Sequence, residues 1–329
     1  MAATGYQDNV GNILGTNSAS NLYNSDTVTA NVDGSIIERL EAMKNGEAAG
    51  QVYYVEANDG NDTTGDGSSW NKAFKTLTVA FVASNANIAS GSTGWASRNK
   101  IYYKGDNAEG SMEELITLPS KCDVIGVGSY DHRPQPSLIG NHVIGAGAYM
   151  GTRFINMGFQ SPAAGGVIFT APTTTSGLNF LGCVFDGRSA TAATIAIQLT
   201  AVEQAVISGC NFFGKYSTAT INIGAGAGRA MRITDNVIES GAIGVAINSN
   251  YTCVDSIGII SGNEFAVVTL VIDDNSSKIA INSNIGQTES DGKIATTFDY
   301  LADLACNNLI TNLTTHTTSI YPAQGAIPA

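Results

Sequence analysis

The stretch that decides the fold runs from residue 165 to residue 274, where short alternating segments recur at nearly constant intervals. They read GGVIFT (165–170), AATIAIQLT (192–200), TATINIGAG (218–226), AIGVAINSN (242–250) and AVVTLVIDD (266–274). Phe169, Ile195, Ile221 and Ile247 follow one another at intervals of 26 residues, and Ile272 comes 25 residues later. Each segment is too short for a helix, is rich in β-branched residues and is bounded by Gly, Asn or Ser, which is typical of β-strands.

A second set of apolar segments alternates with the first. They are LNFLGCVFDG (178–187), AVISGCNFFG (205–214), MRITDNVIES (231–240) and IGIISGNEFA (257–266). A repeat of 20 to 50 residues is typical of a solenoid, and strands that return to one angular position stack in parallel about 4.8 Å apart. The chain is therefore predicted to be all-β, a right-handed parallel β-helix in which Phe169, Ile195, Ile221 and Ile247 stack inside.

A second row of residues repeats with the same period. It consists of Met157, Cys183, Cys210, Asn236 and Asn263, at intervals of 26, 27, 26 and 27 residues. Small and amide side chains at one position of successive coils predict an internal stack, in which each Asn hydrogen-bonds the next and so avoids an unpaired buried polar group. The alternative interpretation, a Cys and Asn metal site, lacks the ligand spacing of zinc sites.

Composition narrows the class of protein. Of the 329 residues 43% are hydrophobic and 13% are charged, which suits one long core, and the net charge of -12 argues against nucleic acid and against anionic membrane as partners. The N-terminus has no signal-peptide pattern, and no apolar stretch is long enough to span a membrane. The five Cys are an odd number of scattered residues, so they are predicted to be reduced and the protein to assemble in a cytoplasm.

Residues 1–32 are predicted to be an extended arm, because their apolar side chains are scattered without a period among Gly, Asn, Ser and Thr. A segment of this kind gains burial only on a surface, so the arm is predicted to anchor the protein. The side chains expected to make that contact are Tyr6, Val10, Ile13, Leu14, Leu22 and Tyr23.

Residues 33–50 are predicted to contain a short helix, in which Ser35 and Glu38 form a capping box and Asn45-Gly46 ends the helix. Its apolar face consists of Ile36, Ile37, Leu40 and Met43. About ten residues do not hold a helix alone in water, so this face must pack on something. Either copies of the same helix around a symmetry axis or the end of the β-helix would serve, and the first implies a homotrimer.

The next segments carry a resemblance to known families. Residues 53–80, YYVEANDGNDTTGDGSSWNKAFKTLTVA, followed by residues 99–129, resemble the opening of pectate-lyase-like right-handed β-helix proteins. That resemblance implies a β-helix over residues 51–290 whose open N-terminal end is capped by a helix. Residues 31–41, NVDGSIIERLE, are similar to a segment found ahead of structural domains in tailed-phage virion proteins. Residues 291–329 are predicted to be a C-terminal cap and tail, with Phe298, Leu301, Leu304 and Leu309 on a short helix or in an irregular segment.

Catalytic candidates are few. Asp186 and Glu239 each lie three residues after the internal row and two turns apart, which predicts a separation of about 9.6 Å, near the upper limit for the two carboxyl groups of an inverting glycosidase. The competing interpretation is two solvated turn residues. His132, between Asp131 and Arg133, is interpreted as a surface loop residue rather than an acid or base. No cofactor is expected.

The loop after the first strand carries candidate metal ligands. Asp59, Asn61, Asp62 and Asp66 offer oxygen atoms and are interspersed with glycines, so they are calcium candidates, although the loop lacks the bidentate Glu of a calcium-binding loop. The competing interpretation is an ordinary polar turn.

Three functional classes remain open on the sequence. The leading hypothesis is a structural protein of a phage virion, a trimeric capsid-decorating or cement protein that assembles in the host cytoplasm and contacts the major capsid protein or another virion protein. The alternatives are a tail spike or fibre that binds or cleaves host surface glycans, and a free polysaccharide lyase or hydrolase.

Overall fold

A computed structural model of the chain describes part of its residues, and the structural statements below concern these alone. They are residues 50–90, 97–105, 110–128, 136–172, 175–188, 191–200, 203–247, 251–254, 256–274, 279–288, 294–296, 304–306, 308–312 and 317–321. The arm and helix predicted for residues 1–50, with all ten contact residues proposed there, lie outside the described residues except for Gly50. His132, Phe298 and Leu301 lie outside them as well.

The elements follow one another from Val52 to Tyr321. The first part of the chain forms β1 (Val52–Glu56), a 3-10 helix (Trp70–Lys72), α1 (Leu77–Ser90), β2 (Asn99–Lys104), β3 (Ser111–Met112), β4 (Cys122–Gly126), β5 (Ser137–Ile139), β6 (His142–Val143), β7 (Tyr149–Met150), β8 (Thr152–Ile155), β9 (Gly158–Gln160) and β10 (Gly166–Ala171). The middle part forms β11 (Thr175–Ser176), β12 (Asn179–Leu181), β13 (Val184–Asp186), β14 (Ala193–Thr200), β15 (Val206–Ser208), β16 (Asn211–Tyr216), β17 (Ala219–Gly224), β18 (Gly226–Gly228), β19 (Arg232–Thr234) and β20 (Val237–Ile247). The last part forms β21 (Tyr251–Cys253), β22 (Gly258–Ser261), β23 (Glu264–Asp274), β24 (Ile279–Asn282), β25 (Ile285–Thr288), β26 (Ile294–Thr296), β27 (Leu304–Cys306), β28 (Asn308–Asn312) and β29 (Thr317–Tyr321).

These strands build a parallel β-solenoid, which confirms the predicted fold class. One sheet, called sheet 1 here, has ten strands in the order β1-β2-β4-β8-β12-β15-β19-β22-β24-β27. A second sheet, called sheet 2, contains fifteen strands arranged in two columns. The long strands β20 and β23 belong to both columns, because each of them pairs with strands of both. The pairing is parallel throughout apart from the final pair, β28 with β29.

The core lies between these sheets and is stacked coil upon coil. Phe154 and Phe180 of sheet 1 are parallel at 5.5 Å between ring centroids. Phe185 of sheet 2 is stacked between Phe159 at 5.1 Å and Phe212 at 5.0 Å. All five rings are fully buried. Burial of aromatic side chains of this size contributes on the order of 2 to 3 kcal/mol each, so the stacks are a main source of the coil's stability.

The register predicted for one inner row is wrong by two residues. Phe169 pairs with Ile197, and that row continues through Ile221, Val245 and Ile272. Ile195 instead lies beside Val167 and Ala219. The turns differ in length from coil to coil, so equivalent residues are not separated by a constant 26 residues. A shift of two keeps the same side chains facing inward, since side chains alternate with a period of two along a strand.

The second predicted row is confirmed and is longer than the sequence indicated. Met157, Cys183, Cys210, Asn236 and Asn263 are buried, and Asn284 and Asn308 continue the row. These last two were missed because the coils that lead to them contain 21 and 24 residues rather than 26 or 27. Inside the row, Nδ2 of each Asn donates to Oδ1 of the next, from Asn236 to Asn308.

The residue before each member of this row from Met157 to Asn284 has a left-handed backbone conformation. Glycine occupies that place at Gly182, Gly209 and Gly262, with φ between 59 and 67°, and Asn156, Asp235 and Ser283 adopt the same conformation at φ between 53 and 57°. Glycine reaches this region without steric cost, whereas other residues pay about 1 kcal/mol or more. The tight turn between sheet 1 and sheet 2 therefore repeats along the solenoid.

The helix α1 covers the N-terminal end of the coil, as predicted. Leu77, Ala80 and Phe81 are buried against the core. The first turn of α1 has no acidic residue of its own. Glu113, 36 residues further along the chain, accepts hydrogen bonds from the backbone nitrogens of Leu77 and Thr78 at 3.0 and 2.7 Å. A carboxylate there stabilises the helix because it satisfies free N–H groups at the positive end of the helix dipole.

At the other end, parallel pairing continues past residue 290. Leu304 lies in β27 and Leu309 lies in β28, and both strands extend the columns of the preceding coils. The short helix or irregular segment predicted for these two residues is therefore wrong. Strand β29 then pairs antiparallel with β28 and ends the described chain.

Candidate functional site

The candidate acids Asp186 and Glu239 lie on the outer face of sheet 2. Asp186 ends β13 and pairs with Phe213 of β16. Glu239 follows Ile238 of β20, which pairs with Phe212 of β16. One strand, with the ring of Phe213, therefore separates the two acids.

The carboxylate of Asp186 forms an ion pair with Arg188. Its Oδ1 accepts hydrogen bonds from the backbone N and from Nε of Arg188, at 2.9 and 3.0 Å, and its Oδ2 accepts one from Nη2 of the same residue at 3.0 Å. The guanidinium carbon of Arg188 lies 4.9 Å from the centroid of the Phe213 ring. This hydrogen bonding raises the pKa of Arg188, with a smaller contribution from the charge of Glu239. The sequence analysis did not pair Asp186 with Arg188, although the two residues are only two positions apart on the chain.

Tyr216 is the other ionisable side chain next to this cluster. It is fully buried, and its hydroxyl donates to the carbonyl oxygens of Phe185 at 3.0 Å and Phe213 at 3.1 Å. Burial raises its pKa well above the usual value, and the charge of Asp186 adds to this effect. The hydroxyl is therefore held neutral and bonded to the backbone. The cluster consists of a bidentate ion pair, a ring and a neighbouring carboxylate, which is typical of a surface contact rather than of a general acid opposite a general base.

The candidate calcium loop is organised by its own backbone. Oδ1 of Asn61 accepts from the backbone nitrogens of Thr63 and Thr64, at 2.8 and 3.0 Å. Oδ1 of Asp62 accepts from those of Lys75 and Thr76, at 2.7 and 3.0 Å.

The remaining acids of the loop have other partners. Asp66 accepts from Ser68 N at 2.9 Å and pairs with Lys72 at 3.3 Å, and hydrogen bonds from Ser68 lower the pKa of Asp66 to about 2. Asp59 is exposed; the pKa of Lys104 is raised chiefly by its hydrogen bond and ion pair with Glu56, and the charge of Asp59 makes a smaller contribution. Within the described ranges, no group of three or more His, Cys, Asp or Glu is arranged to hold a metal ion. The loop's polar side chains thus shape the turn that leads into α1.

His142 is a core residue of the first coils. Its Nδ1 accepts a hydrogen bond from the backbone N of Leu115 at 3.1 Å, and its ring packs edge-on against Phe159 at 5.4 Å between centroids. Burial lowers its pKa to about 3. It is therefore a neutral imidazole at physiological pH and part of the packing rather than of a site.

Asp123 is the centre of the strongest ionic cluster. Arg153 donates through Nε and Nη2 to its two oxygens, both at 2.6 Å, and Arg98 donates through Nε at 2.6 Å. Although burial alone would raise the pKa of Asp123, these hydrogen bonds outweigh it and hold the pKa below its usual value. The cluster ties three segments of the chain together across sheet 1, because Nη2 of Arg98 also donates to the carbonyl oxygen of Gly151 at 2.8 Å.

An apolar row crosses the outer face of sheet 1 next to this cluster. Successive strands place five partly exposed side chains in register, and they are called here the outer apolar row: Tyr54, Tyr102, Ile125, Ile155 and Leu181. The rings of Tyr54 and Tyr102 are stacked at 5.8 Å, and Trp70, 38% exposed, lies 4.9 Å from Tyr54. At about 4.8 Å per strand the five residues span roughly 19 Å.

Charged residues border the outer apolar row on both sides. Lys100, Asp123 and Arg153 form the neighbouring row in the same strands, and the ion pair of Glu56 with Lys104 lies on the other side. An apolar strip with a polar rim is the usual composition of a protein contact surface. The sequence analysis did not identify this row, although alternation along a strand places Tyr53 and Tyr54, and likewise Tyr102 and Tyr103, on opposite faces.

Neither a protein-family model, nor a curated protein, nor a solved structure matches this chain. Among the described residues, no helix has both the length and the apolar character that crossing a membrane requires. The function is therefore argued from the arrangement of the residues and from the sequence.

Proposed function

We propose that this chain is a structural protein of a phage virion, a trimeric capsid-decorating protein that its N-terminal arm anchors to the particle. The observation that carries the proposal is the outer apolar row, a strip of five side chains in register with a charged rim on the outer face of sheet 1. A surface of this composition contacts another protein. The resemblance of residues 31–41 to a segment of tailed-phage virion proteins supplies the setting.

The arrangement of the candidate acids supports a structural role over a catalytic one. Asp186 has both oxygens bound by Arg188, so it does not present a free carboxylate to a substrate. Hydrolysis by two carboxyl groups needs one acid with a raised pKa and a second that activates water or attacks the sugar. With both oxygens bound by Arg188, Asp186 is not free to take part in such a pair.

The interior of the coil supports the same role. The asparagine row and the phenylalanine stacks connect successive coils at short, repeated intervals, so the solenoid is a rigid body. Rigidity suits a protein that stabilises a shell by lying across its subunits. We assign the outer apolar row to contacts between copies in the trimer, since closed symmetry is the usual way to cover such a strip.

The test is binding of the protein to particles from which it has been stripped. Full-length protein, a variant that lacks residues 1–32 and a matched variant that lacks residues 322–329 are each mixed with stripped particles and sedimented. The full-length protein and the C-terminal deletion are expected to co-sediment, whereas the N-terminal deletion is expected to remain folded and unbound. Equal binding of all three proteins would show that the anchor lies outside residues 1–32 and 322–329. Binding of none of them would contradict a virion role.

A second candidate is a tail spike or fibre that binds host surface glycans. It is favoured by the cluster of Trp70, Tyr54 and Tyr102, because exposed ring faces are surfaces on which sugars pack. Binding of a host polysaccharide that Trp70→Ala abolishes would support this candidate over capsid decoration.

A further inference from the structure

The solvent-facing side of α1 is unlike that of an ordinary surface helix. Residues 77–90 contain no charged side chain. Val82, Ala86 and Ala89, at helical spacings of four and three residues, all point outward and are exposed, and Val82 is 65% exposed. A helix that faces water normally carries charged or polar residues there, so this apolar strip is an unpaired surface.

The strip cannot turn inward, because several contacts fix the orientation of α1. Its opposite face is buried through Leu77, Ala80 and Phe81. Asn85 donates to the carbonyl oxygen of Leu118 at 3.0 Å, and Glu113 binds the backbone at the start of the helix. The strip is therefore preformed and held at the end of the solenoid.

The preceding chain enters the described structure beside α1. The backbone N of Gln51 donates to Oδ1 of Asn99 at 2.8 Å, and Nδ2 of Asn99 donates to the carbonyl oxygen of Ser84 at 3.1 Å. The hydroxyl of Tyr53 donates to the carbonyl oxygen of Ala83 at 3.3 Å. One side chain thus connects Gln51 to the middle of α1.

The segment just before Gly50 is predicted to have an apolar face that must also be buried. The sequence predicts a helix that ends at Asn45-Gly46 and has an apolar face of Ile36, Ile37, Leu40 and Met43. Only residues 47–49 separate Gly46 from Gly50, a reach of about 13 Å, while α1 itself is about 21 Å long. Ala86 and Ala89 are small, so a second helix can approach closely between them.

We propose that residues 35–45 pack as a helix across the exposed strip of α1 in the same chain, with Leu40 and Met43 against Val82 and Ala86. The short connection favours the chain's own segment over that of a second copy, because it keeps the two apolar faces at a high effective concentration. The end of the solenoid is then closed by two layers of helix. This proposal does not depend on the virion role, and it leaves the outer apolar row for contacts between copies.

The first test measures how fast a cysteine in the strip reacts with a maleimide in the full-length protein. Val82→Cys is compared with Ile257→Cys, since Ile257 is 63% exposed and lies near the far end of sheet 1. Cys122, Cys183, Cys210 and Cys253 are buried, and unmodified protein gives the background rate. We expect Val82→Cys to react at least about tenfold more slowly than Ile257→Cys. Addition of Leu40→Asp to Val82→Cys should restore fast labelling, since a charge in the apolar contact uncovers the strip. Equal rates at the two positions, or protection that Leu40→Asp leaves intact, would overturn the proposal.

The second test distinguishes the chain's own segment from that of a neighbour. Met43→Cys is combined with Val82→Cys, and in a control with Ile257→Cys, and both proteins are oxidised at low concentration. We expect a disulfide within one chain in the first protein and little in the control, because a disulfide requires Cα atoms less than about 7 Å apart. A product that links two chains, or no product at all, would contradict packing within the chain.

Discussion

Nδ2 of Asn236 donates to Oδ1 of Asn263 at 2.9 Å, and the same Oδ1 accepts from the backbone N of Asn236 at 3.1 Å. Asn263 uses its own Nδ2 to donate to Oδ1 of Asn284 and to the carbonyl oxygen of Ile233. Each side chain therefore bonds the coil before it and the coil after it. The row therefore connects successive coils through buried side-chain hydrogen bonds, although the coils differ in length.

Asn263→Ala is expected to destabilise the coil strongly. The change leaves the backbone N of Asn236 without its acceptor and opens a cavity in a fully buried row, and each unpaired buried group costs about 1 to 3 kcal/mol. We expect a loss of roughly 3 kcal/mol or more in urea unfolding. Asn222→Ala is the matched control, because Asn222 makes one side-chain bond, to Gln198 at 2.8 Å, on a partly exposed face. Equal losses for the two variants would show that the row has no special role.

Asp123→Asn is expected to weaken the attachment of the first coils. The variant keeps the shape but loses the charge that two guanidinium groups bind, and since both arginines are partly exposed we expect a loss of about 2 kcal/mol. The pKa of Asp123 is depressed in the folded protein, so this stabilisation is present above the unfolded pKa and disappears as the pH falls through the lower folded value. The exposed pair of Asp66 and Lys72 provides the comparison: Asp66→Asn should change the unfolding midpoint little.

His142 is expected to make the protein acid-sensitive above pH 3. The unfolded chain binds a proton at this residue near pH 6.5, whereas burial lowers the folded pKa to about 3, so stability falls as the pH drops between these values. At pH 5 the loss due to this residue should be about 2 kcal/mol relative to pH 7.5. His142→Gln should remove that part of the difference while it keeps an acceptor for the backbone N of Leu115. An unchanged pH dependence in the variant would contradict the buried, neutral imidazole.

The cluster around Asp186 is expected to have no catalytic role. Wild-type protein should release neither unsaturated products nor new reducing ends from acidic polysaccharides, and Asp186→Ala and Glu239→Ala should give the same result. Removal of the Asp186 side chain should cost only about 1 kcal/mol of stability, since its partner Arg188 is substantially exposed. Turnover in wild-type protein that is lost in either variant would establish an enzyme and overturn the structural role.

The outer apolar row is expected to carry the contact between copies. Leu181→Asp places a charge in the row and should convert the proposed trimer to monomers, as measured by light scattering coupled to size exclusion. Ser208→Asp adds the same charge one strand further along, since Ser208 pairs with Leu181 outside the apolar part, and should leave the mass unchanged. A wild-type monomer, or a trimer that survives Leu181→Asp, would argue against this interface.

The sequence predicts the coil well because alternation and a near-constant period are local properties of the chain. The row from Met157 to Asn263 follows from that period, and the capping helix follows from the resemblance of residues 53–80. The pairing of Phe169 with Ile197 cannot be predicted from the period, because it depends on the lengths of the turns that separate the strands. For the same reason Asn284 and Asn308 escape a search at fixed intervals.

The candidate site is less accessible to sequence reasoning. The cap that Glu113 provides for α1, and the cluster of Asp123 with Arg98 and Arg153, join residues that are 25 to 36 positions apart. Such contacts appear only once the coil length is known. The pair of Asp186 and Arg188 could have been found from its two-residue spacing.

The proposed structural role on a capsid is tested most directly by cryo-electron microscopy of purified phage particles that contain this chain. We expect three copies of the parallel solenoid around a symmetry axis of the capsid surface, with residues 1–32 in contact with neighbouring shell subunits. Density for the solenoid on the tail alone, or its absence from the particles, would contradict it.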